Sequence, residues 1–430
     1  MQSIDRSQQP AIKHIDSIHF VKADKYKLSN SLPVYSIHSG TEAILKIDLL
    51  FRAGSWFQPK PLVALATSEM LSEGTDKYTS QDIAGQLDYY GAFLKASANK
   101  DVASVSLLTL KKHMHPALEI LAEIIKRPTF PEKELNTYLN NKKQQYLLEH
   151  SKVSTLSRIK FNEALFGNHH PYGRIPELED HDQLTQEDLQ VFHKRHFTSD
   201  QCEILVTGDT DASVQKSLDE FLGGDDWKAD QNEIQTPDFR PFTTTEQEVF
   251  TPKQEAVQSS LRIGKLLFNK RHPDFPGMQV MNTILGGYFG SRLMKKVREE
   301  KGYTYGIFSM MVPMVNEGYL TIASEVGASV CRKAIEAIYQ EIRKLRSEKV
   351  DRQELDMVRN YMMGQLLRAF DGPLPTASTY ISLMEMGLDE DYYQRMVYTI
   401  NQITPEDIRE LAGKYLGEED MVRSVAGKCE

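Results

Sequence analysis

The side chains in this sequence best placed for chemistry lie in one stretch, LGGYFGSRLMKKVREEKGYTYGIFSMM (Leu285–Met311). Ser291 is a good N-cap, the run from Arg292 to Glu300 is built of good helix formers, and Gly302 suits the position just past a helix end. Arg298 then falls late in a predicted helix, and Tyr305 begins the strand predicted over TYGIFSMM. A helix–turn–strand corner can aim both side chains at one spot. Arg298 offers a rigid fork of N–H donors, and Tyr305 a phenolic O–H. Together they could hold a peptide carbonyl or stabilise an oxyanion developing from it. The bland alternative is also open: Arg298 complements the helix C-terminus and Tyr305 packs at a sheet edge.

Gly286, Gly287 and Gly290 precede that helix. Neither G-K-[ST] nor G-x-G-x-x-G is present, which argues against a nucleotide site. The glycines can simply shape a turn. Gly286 and Gly287 join Arg298 and Tyr305 as candidate substrate-binding positions. The histidines offer no metal spacing. His113 and His115 are two apart at a helix start and share no face. His169 and His170 are adjacent beside Pro171 and read as surface or turn residues.

Strands and helices alternate around these residues. Ile44–Gly54 reads as a strand, and Leu62–Gly74 as a helix closed by glycine. Thr79 or Ser80 caps a second helix running to about Tyr90. Ala92–Leu110 alternates on both sides of Asn99-Lys100-Asp101 and reads as a hairpin. His115–Arg127 puts Leu118, Leu121 and Ile125 on one helical face. Hairpins and helices in one unit predict an α+β fold with antiparallel sheets.

The chain is also a duplication. The segment starting at Leu184 (LTQEDLQVFHKRHFTSDQCEILVTGD) aligns without gaps on that starting at Ile403 (ITPEDIRELAGKYLGEEDMVRSVAGK). Thr185 matches Thr404, and the same interval pairs Asp188 with Asp407 and Gly208 with Gly427. Upstream, Glu134–Leu135 matches Glu354–Leu355 with one residue of drift, as a single loop insertion would leave. Two homologous halves follow, each an antiparallel sheet packed with helices and of roughly 210 residues, enough to bury a core. The polar, proline-bearing stretch between them reads as a linker. The expected division is 1–225, a linker over 226–245, and 246–430.

With 430 residues, 40% hydrophobic, 26% charged and a net charge of −9, the chain has globular composition and lacks the basic footprint of a nucleic-acid binder. No apolar run approaches the roughly 18 residues that span a bilayer, and the N-terminal residues hold no apolar signal-like core. Cys202, Cys331 and Cys429 are far apart and odd in number, which predicts reduced thiols in a cytoplasmic protein.

Read together, several segments resemble the pitrilysin/insulinase family, and more closely its short two-half members that work as paired subunits. Leu28–Gly40 looks like the family's opening hairpin, and Phe51–Pro59 like the strand and turn before its first helix. Phe161–Arg174 and Ile403–Leu416 are similar to a helix end with its loop and to a late helix. VREEKGYTYG matches the R-x6-Y signature of the family's second half.

What the resemblance implies is a divided active site. Active members carry H-x-x-E-H on the first helix and a distal glutamate, which hold Zn²⁺ and supply a base. Counting back from Gly74-Thr75, the histidine positions fall on Leu65 and Glu69, the base position on Ser68, and the distal glutamate near Gln144 or Gln145. Leu65 cannot ligate, Ser68 cannot act as base, and Glu69 is expected to be a solvated helix residue. The resemblance therefore implies a chain with no metal of its own. Such a chain would be the substrate-binding subunit of a zinc metalloendopeptidase, its partner a homologous subunit carrying H-x-x-E-H and Zn²⁺. Peptides would be gripped by Arg298 and Tyr305, with no nucleic acid and no membrane involved. A non-enzymatic scaffold or peptide-binding subunit of the same fold is the alternative.

Overall fold

Leu45, Ile47, Leu49 and Phe51 alternate along Ile44–Phe51, and all four are buried in one core. That two-residue period makes the segment a strand with an apolar face. In a computed structural model of the chain, residues 15, 18, 20–229, 237–241 and 247–429 are described. Most of the expected linker, 226–245, lies outside them.

The first half runs β1 (Asp24–Lys27), β2 (Pro33–His38), β3 (Ile44–Phe51), α1 (Val63–Glu69), α2 (Ser80–Tyr90), β4 (Phe93–Ala98), β5 (Ala103–Leu110), α3 (Met114–Lys126), α4 (Glu132–His150), α5 (Val153–Phe166), α6 (Gln186–His196), β6 (Cys202–Gly208) and α7 (Ala212–Leu222). The second runs β7 (Glu248–Pro252), β8 (Gln258–Leu267), α8 (Phe275–Asn282), β9 (Thr304–Pro313), β10 (Gly318–Gly327), α9 (Cys331–Ser347), α10 (Arg352–Ala369), α11 (Pro373–Met386), α12 (Tyr392–Gln402), α13 (Pro405–Tyr415) and β11 (Val422–Gly427). The fold is α+β.

The sheets repeat one topology. The first has the order β1-β2-β6-β3-β5-β4, the second β7-β11-β8-β10-β9. Each contains one parallel pair, β2 with β6 and β7 with β11, and is otherwise antiparallel. The expected antiparallel pairing holds outside that one pair, which forms where the last strand of each half returns to insert beside β2 in the first sheet and beside β7 in the second. Thr185 and Thr404, matched by the duplication, both build capping boxes, with Asp188 and Asp407. Thr79 caps α2 in the same way, and Gly91 closes it with φ 61°. α1 ends at Glu69, earlier than the expected glycine stop at Gly74.

The halves exchange a helix. α5 of the first half packs on the outer face of the second sheet, where Phe161 and Leu165 join Val422 and Leu266. α11 of the second half packs on the outer face of the first, where Ala377 and Tyr380 meet Ile37 and Leu205. The β4–β5 hairpin tip adds a clasp. Asp101 accepts hydrogen bonds from the Tyr172 hydroxyl and from Val315 N at 3.1 Å, and Asn316 N donates to the Tyr172 oxygen at 3.2 Å. Lys100 donates to Pro171 O and Arg174 O at 2.8 and 3.1 Å.

Two of the three expected free thiols are joined. Cys331 and Cys429 form a disulfide with Cα atoms 5.1 Å apart, and Cys202 alone is free and buried. Ninety-eight residues of sequence hid the proximity: the start of α9 lies beside the chain that leaves β11. The cysteine count therefore no longer argues for a reducing compartment. Among the described residues no helix is long and apolar enough to cross a membrane.

Candidate functional site

The expected corner is present, with a difference in its helix. Residues 292–300 are helical, but Met294–Glu300 bond with the wider i→i+5 spacing, as in Lys301 N to Lys296 O at 3.2 Å. Single wide turns of this kind cluster at functional sites. Gly302 follows at φ 64°, a left-handed conformation that favours glycine, and Tyr303 N reaches back to Val297 O at 3.0 Å. The chain then enters β9. Ser291 does not cap: its hydroxyl is buried and has no partner among the described residues.

Arg298 and Tyr305 therefore flank one turn. The Arg298 guanidinium lies 4.6 Å from the ring centroid of Phe289, itself 65% exposed. That cation–π contact sets the fork at the surface without consuming its donors. Tyr305 is 91% exposed. Among the described residues neither side chain hydrogen-bonds or ion-pairs within the chain, with the other or with any third group. Phe289 was missed by the sequence reading; its signal is an aromatic residue between Gly287 and Gly290 with no helical or strand period to bury it.

The corner is braced from α10. Arg292 grips Glu354 through two bonds of 3.0 and 2.8 Å, a paired geometry that fixes orientation as well as distance. Tyr288 packs on Tyr361 with centroids 5.1 Å apart. Gly286 is buried, and a Cβ there would come within 2.6 Å of Ser309 N on β9, so the turn can lie against the strand only as glycine. Gly287 is exposed. β9 is the outer strand of its sheet and leaves one ladder edge unpaired.

The other candidate residues lie on α1 in the first half. Leu65 is half-buried. Ser68 is buried, and its hydroxyl donates to Ala64 O one turn back at 2.8 Å. Glu69 is not the solvated residue expected. Its carboxylate accepts from the Tyr138 hydroxyl at 2.7 Å and pairs with the Lys142 ammonium at 2.7 Å. Burial first, and the Glu69 bond second, push the Tyr138 phenol far above its ordinary range, so it remains a donor. Tyr138 and Lys142 are one turn apart on α4 and so share the face toward α1. Gln144 and Gln145, the expected distal positions, are exposed.

These residues do not fit a zinc ion. Leu65 has no donor atom, the Ser68 hydroxyl is committed, and an ammonium already occupies the cation's place beside Glu69. Among the described residues no three His, Cys, Asp or Glu side chains cluster as a metal would require. His169 is exposed as expected, but His170 is buried between Trp56, Phe166 and Tyr172. Its Nδ1 accepts from Tyr172 N at 3.1 Å. Burial, then the nearby Lys100 charge, lower its pKa to about 4.

Comparison with known proteins places these features in a family. Residues 33–169 match the profile described as Insulinase (Peptidase family M16), and residues 183–362 that described as Peptidase M16 inactive domain. An uncharacterized zinc protease YmxG of Bacillus subtilis is 23% identical over 350 residues, covering 81% of this chain and 84% of the relative. A non-peptidase homolog YmxG of Helicobacter pylori is 21% identical over 373 residues, covering 85% and 84%. The crystal structure of a peptidase M16 inactive domain from Pseudomonas fluorescens superimposes with TM-score 0.84 at 22% identity, covering 95% of this chain and 98% of that one.

Proposed function

The chain belongs to the insulinase family, peptidase family M16, and from that premise we propose that it is the substrate-binding subunit of a zinc endopeptidase assembled with a homologous partner. The observation that carries this reading is the contrast between its two halves. Arg298 and Tyr305 stand at the surface with their donors free, while the first helix offers Leu65, a committed Ser68 and a Glu69 already paired with Lys142.

In this reading an extended peptide lies against β9, and main-chain bonds to the open ladder edge give affinity with little regard for sequence. Arg298 and Tyr305 take the carbonyl oxygen of the bond to be cut. Their donors point at charge that grows in the tetrahedral transition state, where preorganised hydrogen bonds act most strongly. Gly286 and Gly287 keep the floor beside them low. Bond cleavage belongs to the partner, which supplies H-x-x-E-H and Zn²⁺.

The test is reconstitution. This chain is purified with and without a homologous chain bearing H-x-x-E-H, and both are assayed on a fluorogenic unstructured peptide with added zinc. Activity is expected only from the mixture. Cleavage by this chain alone, or full activity of the partner alone, would overturn the division of labour.

A further inference from the structure

The outer face of the second sheet carries an arginine, Arg262, that forms no ion pair among the described residues. Across that face the register sets Phe308 of β9 beside Ala323 of β10, Ala323 beside Arg262 of β8, and Arg262 beside Ser424 of β11. α5 covers only one side of this row. Its Ser157 bonds Ser260 at 2.7 Å, and Phe161 packs over Gly264. The β9–β10 side stays open, with Phe308, Met310 and Glu325 exposed.

At the boundary two buried polar groups and one exposed guanidinium lack hydrogen-bond or ion-pair partners among the described residues. Arg262 Nε is buried and bonds nothing. Thr321 is 1% exposed, lies on the same outer face as Ala323, and its hydroxyl is also unpartnered. Arg158 stands exposed on α5 next to Ser157, and among the described residues it has no ion pair. Burial lowers the Arg262 pKa; the Tyr319 phenol opposes that, the Arg158 charge adds to it, and Glu325 opposes it again. Glu149 acts electrostatically on Arg158, and Glu325 on Arg262, but among the described residues neither guanidinium is paired with a carboxylate, and a buried hydroxyl without a partner lies on the same face, so the spot favours an anion.

We propose that Arg158, Arg262 and Thr321 form a carboxylate subsite for the peptide that lies along β9. The proposal rests on the peptide-gripping reading and adds a preference to it. A peptide paired to the free edge of β9 lies three strand spacings from Arg262 of β8, about 14 Å at the usual strand spacing, a span that an extended arginine and an extended glutamate cover together. Phe308 is three residues along β9 from Tyr305, roughly another 10 Å. The favoured carboxylate therefore belongs about three to five residues from the bond that Arg298 and Tyr305 hold.

Fluorescence anisotropy on the full-length chain tests this. Three fluorescein-labelled unstructured peptides serve as probes: an amidated peptide with one glutamate four residues from its centre, its glutamine counterpart, and the glutamine peptide with a free C-terminal carboxylate. The glutamate peptide is expected to bind about tenfold more tightly than its glutamine counterpart, the worth of one charge-assisted bond. That advantage should vanish in Arg262→Gln and shrink in Arg158→Gln. The second variant is at the surface and guards against misfolding of the first. If the free carboxylate carries the advantage instead, the subsite reads a chain end rather than a side chain. Equal binding of all three peptides would overturn the subsite and leave the peptide-gripping reading standing. No binding of any of them would overturn both.

Discussion

Lys142 of α4 sets its ammonium 2.7 Å from the Glu69 carboxylate at the end of α1. The pair joins the two helices that, in zinc-bearing members of such a family, would share the metal. A fixed cation therefore stands beside Glu69, held by a carboxylate that also takes the Tyr138 hydroxyl, and on the alignment proposed above it faces the degenerate metal positions.

This arrangement predicts how zinc affinity could be rebuilt. Leu65→His with Ser68→Glu and Glu69→His restores the motif but leaves Lys142 facing the new site. Calorimetry should find no micromolar zinc binding in that triple variant. Adding Lys142→Glu should produce it, since the substitution removes a like charge and adds an oxygen ligand. Tight binding by the triple variant alone would show that Lys142 is no obstacle.

In the reconstituted enzyme, Arg298→Ala and Tyr305→Phe should each lower kcat about 10²–10³-fold, the usual cost of one transition-state donor. Phe289→Ala should cost less, about fivefold to tenfold, because it frees the guanidinium without removing it. Steady-state kinetics would check the order. A Phe289→Ala defect as large as that of Arg298→Ala would mean that the ring itself contacts substrate.

The Cys331–Cys429 link closes a loop of 98 residues. Removing such a constraint from the unfolded chain costs about 2–4 kcal/mol of stability. Cys331→Ser should lower the urea midpoint accordingly, and reductant should bring the native protein to the same value. Identical midpoints for native and variant chains under oxidising conditions would deny the link any stabilising role.

Acid sensitivity should come from buried neutral histidines. His193 bonds Ile125 O at 2.8 Å and His196 bonds Arg52 O at 2.9 Å. Burial lowers each pKa to about 4, against 6.5 for a free imidazole. The folded values lie below the unfolded ones, so unfolding takes up protons between those limits. Their contribution is whole above pH 6.5 and fades as pH falls toward 4. His196→Gln should reduce the loss between pH 7.5 and 5 by about 1–3 kcal/mol in urea titrations.

The inter-half clasp should be sensitive to one atom. Tyr172→Phe removes the hydroxyl shared by Asp101 and Asn316, leaving a half-buried carboxylate short of a donor. A loss of about 1–3 kcal/mol is expected from chemical unfolding. A neutral result would show that the hydroxyl does not hold the halves together, leaving that to contacts such as the exchanged helices α5 and α11.

Much of the molecule follows from short-range pattern. The alternation of Leu45, Ile47, Leu49 and Phe51 made a strand, Thr79, Thr185 and Thr404 announced helix starts, and the repeated interval between Thr185 and Thr404 announced two halves. Gly302 marked the corner that bears Arg298 and Tyr305. Each of these signals lies within one turn, one pleat or one alignment of the chain with itself, where backbone geometry fixes the spacing. The exchange of α5 and α11, the seat of Lys142 beside Glu69, the burial of His170 and the Cys331–Cys429 bond were decided by tertiary structure alone. They join residues tens to hundreds of positions apart, and no local period records which distant side chain packing will deliver to a given point.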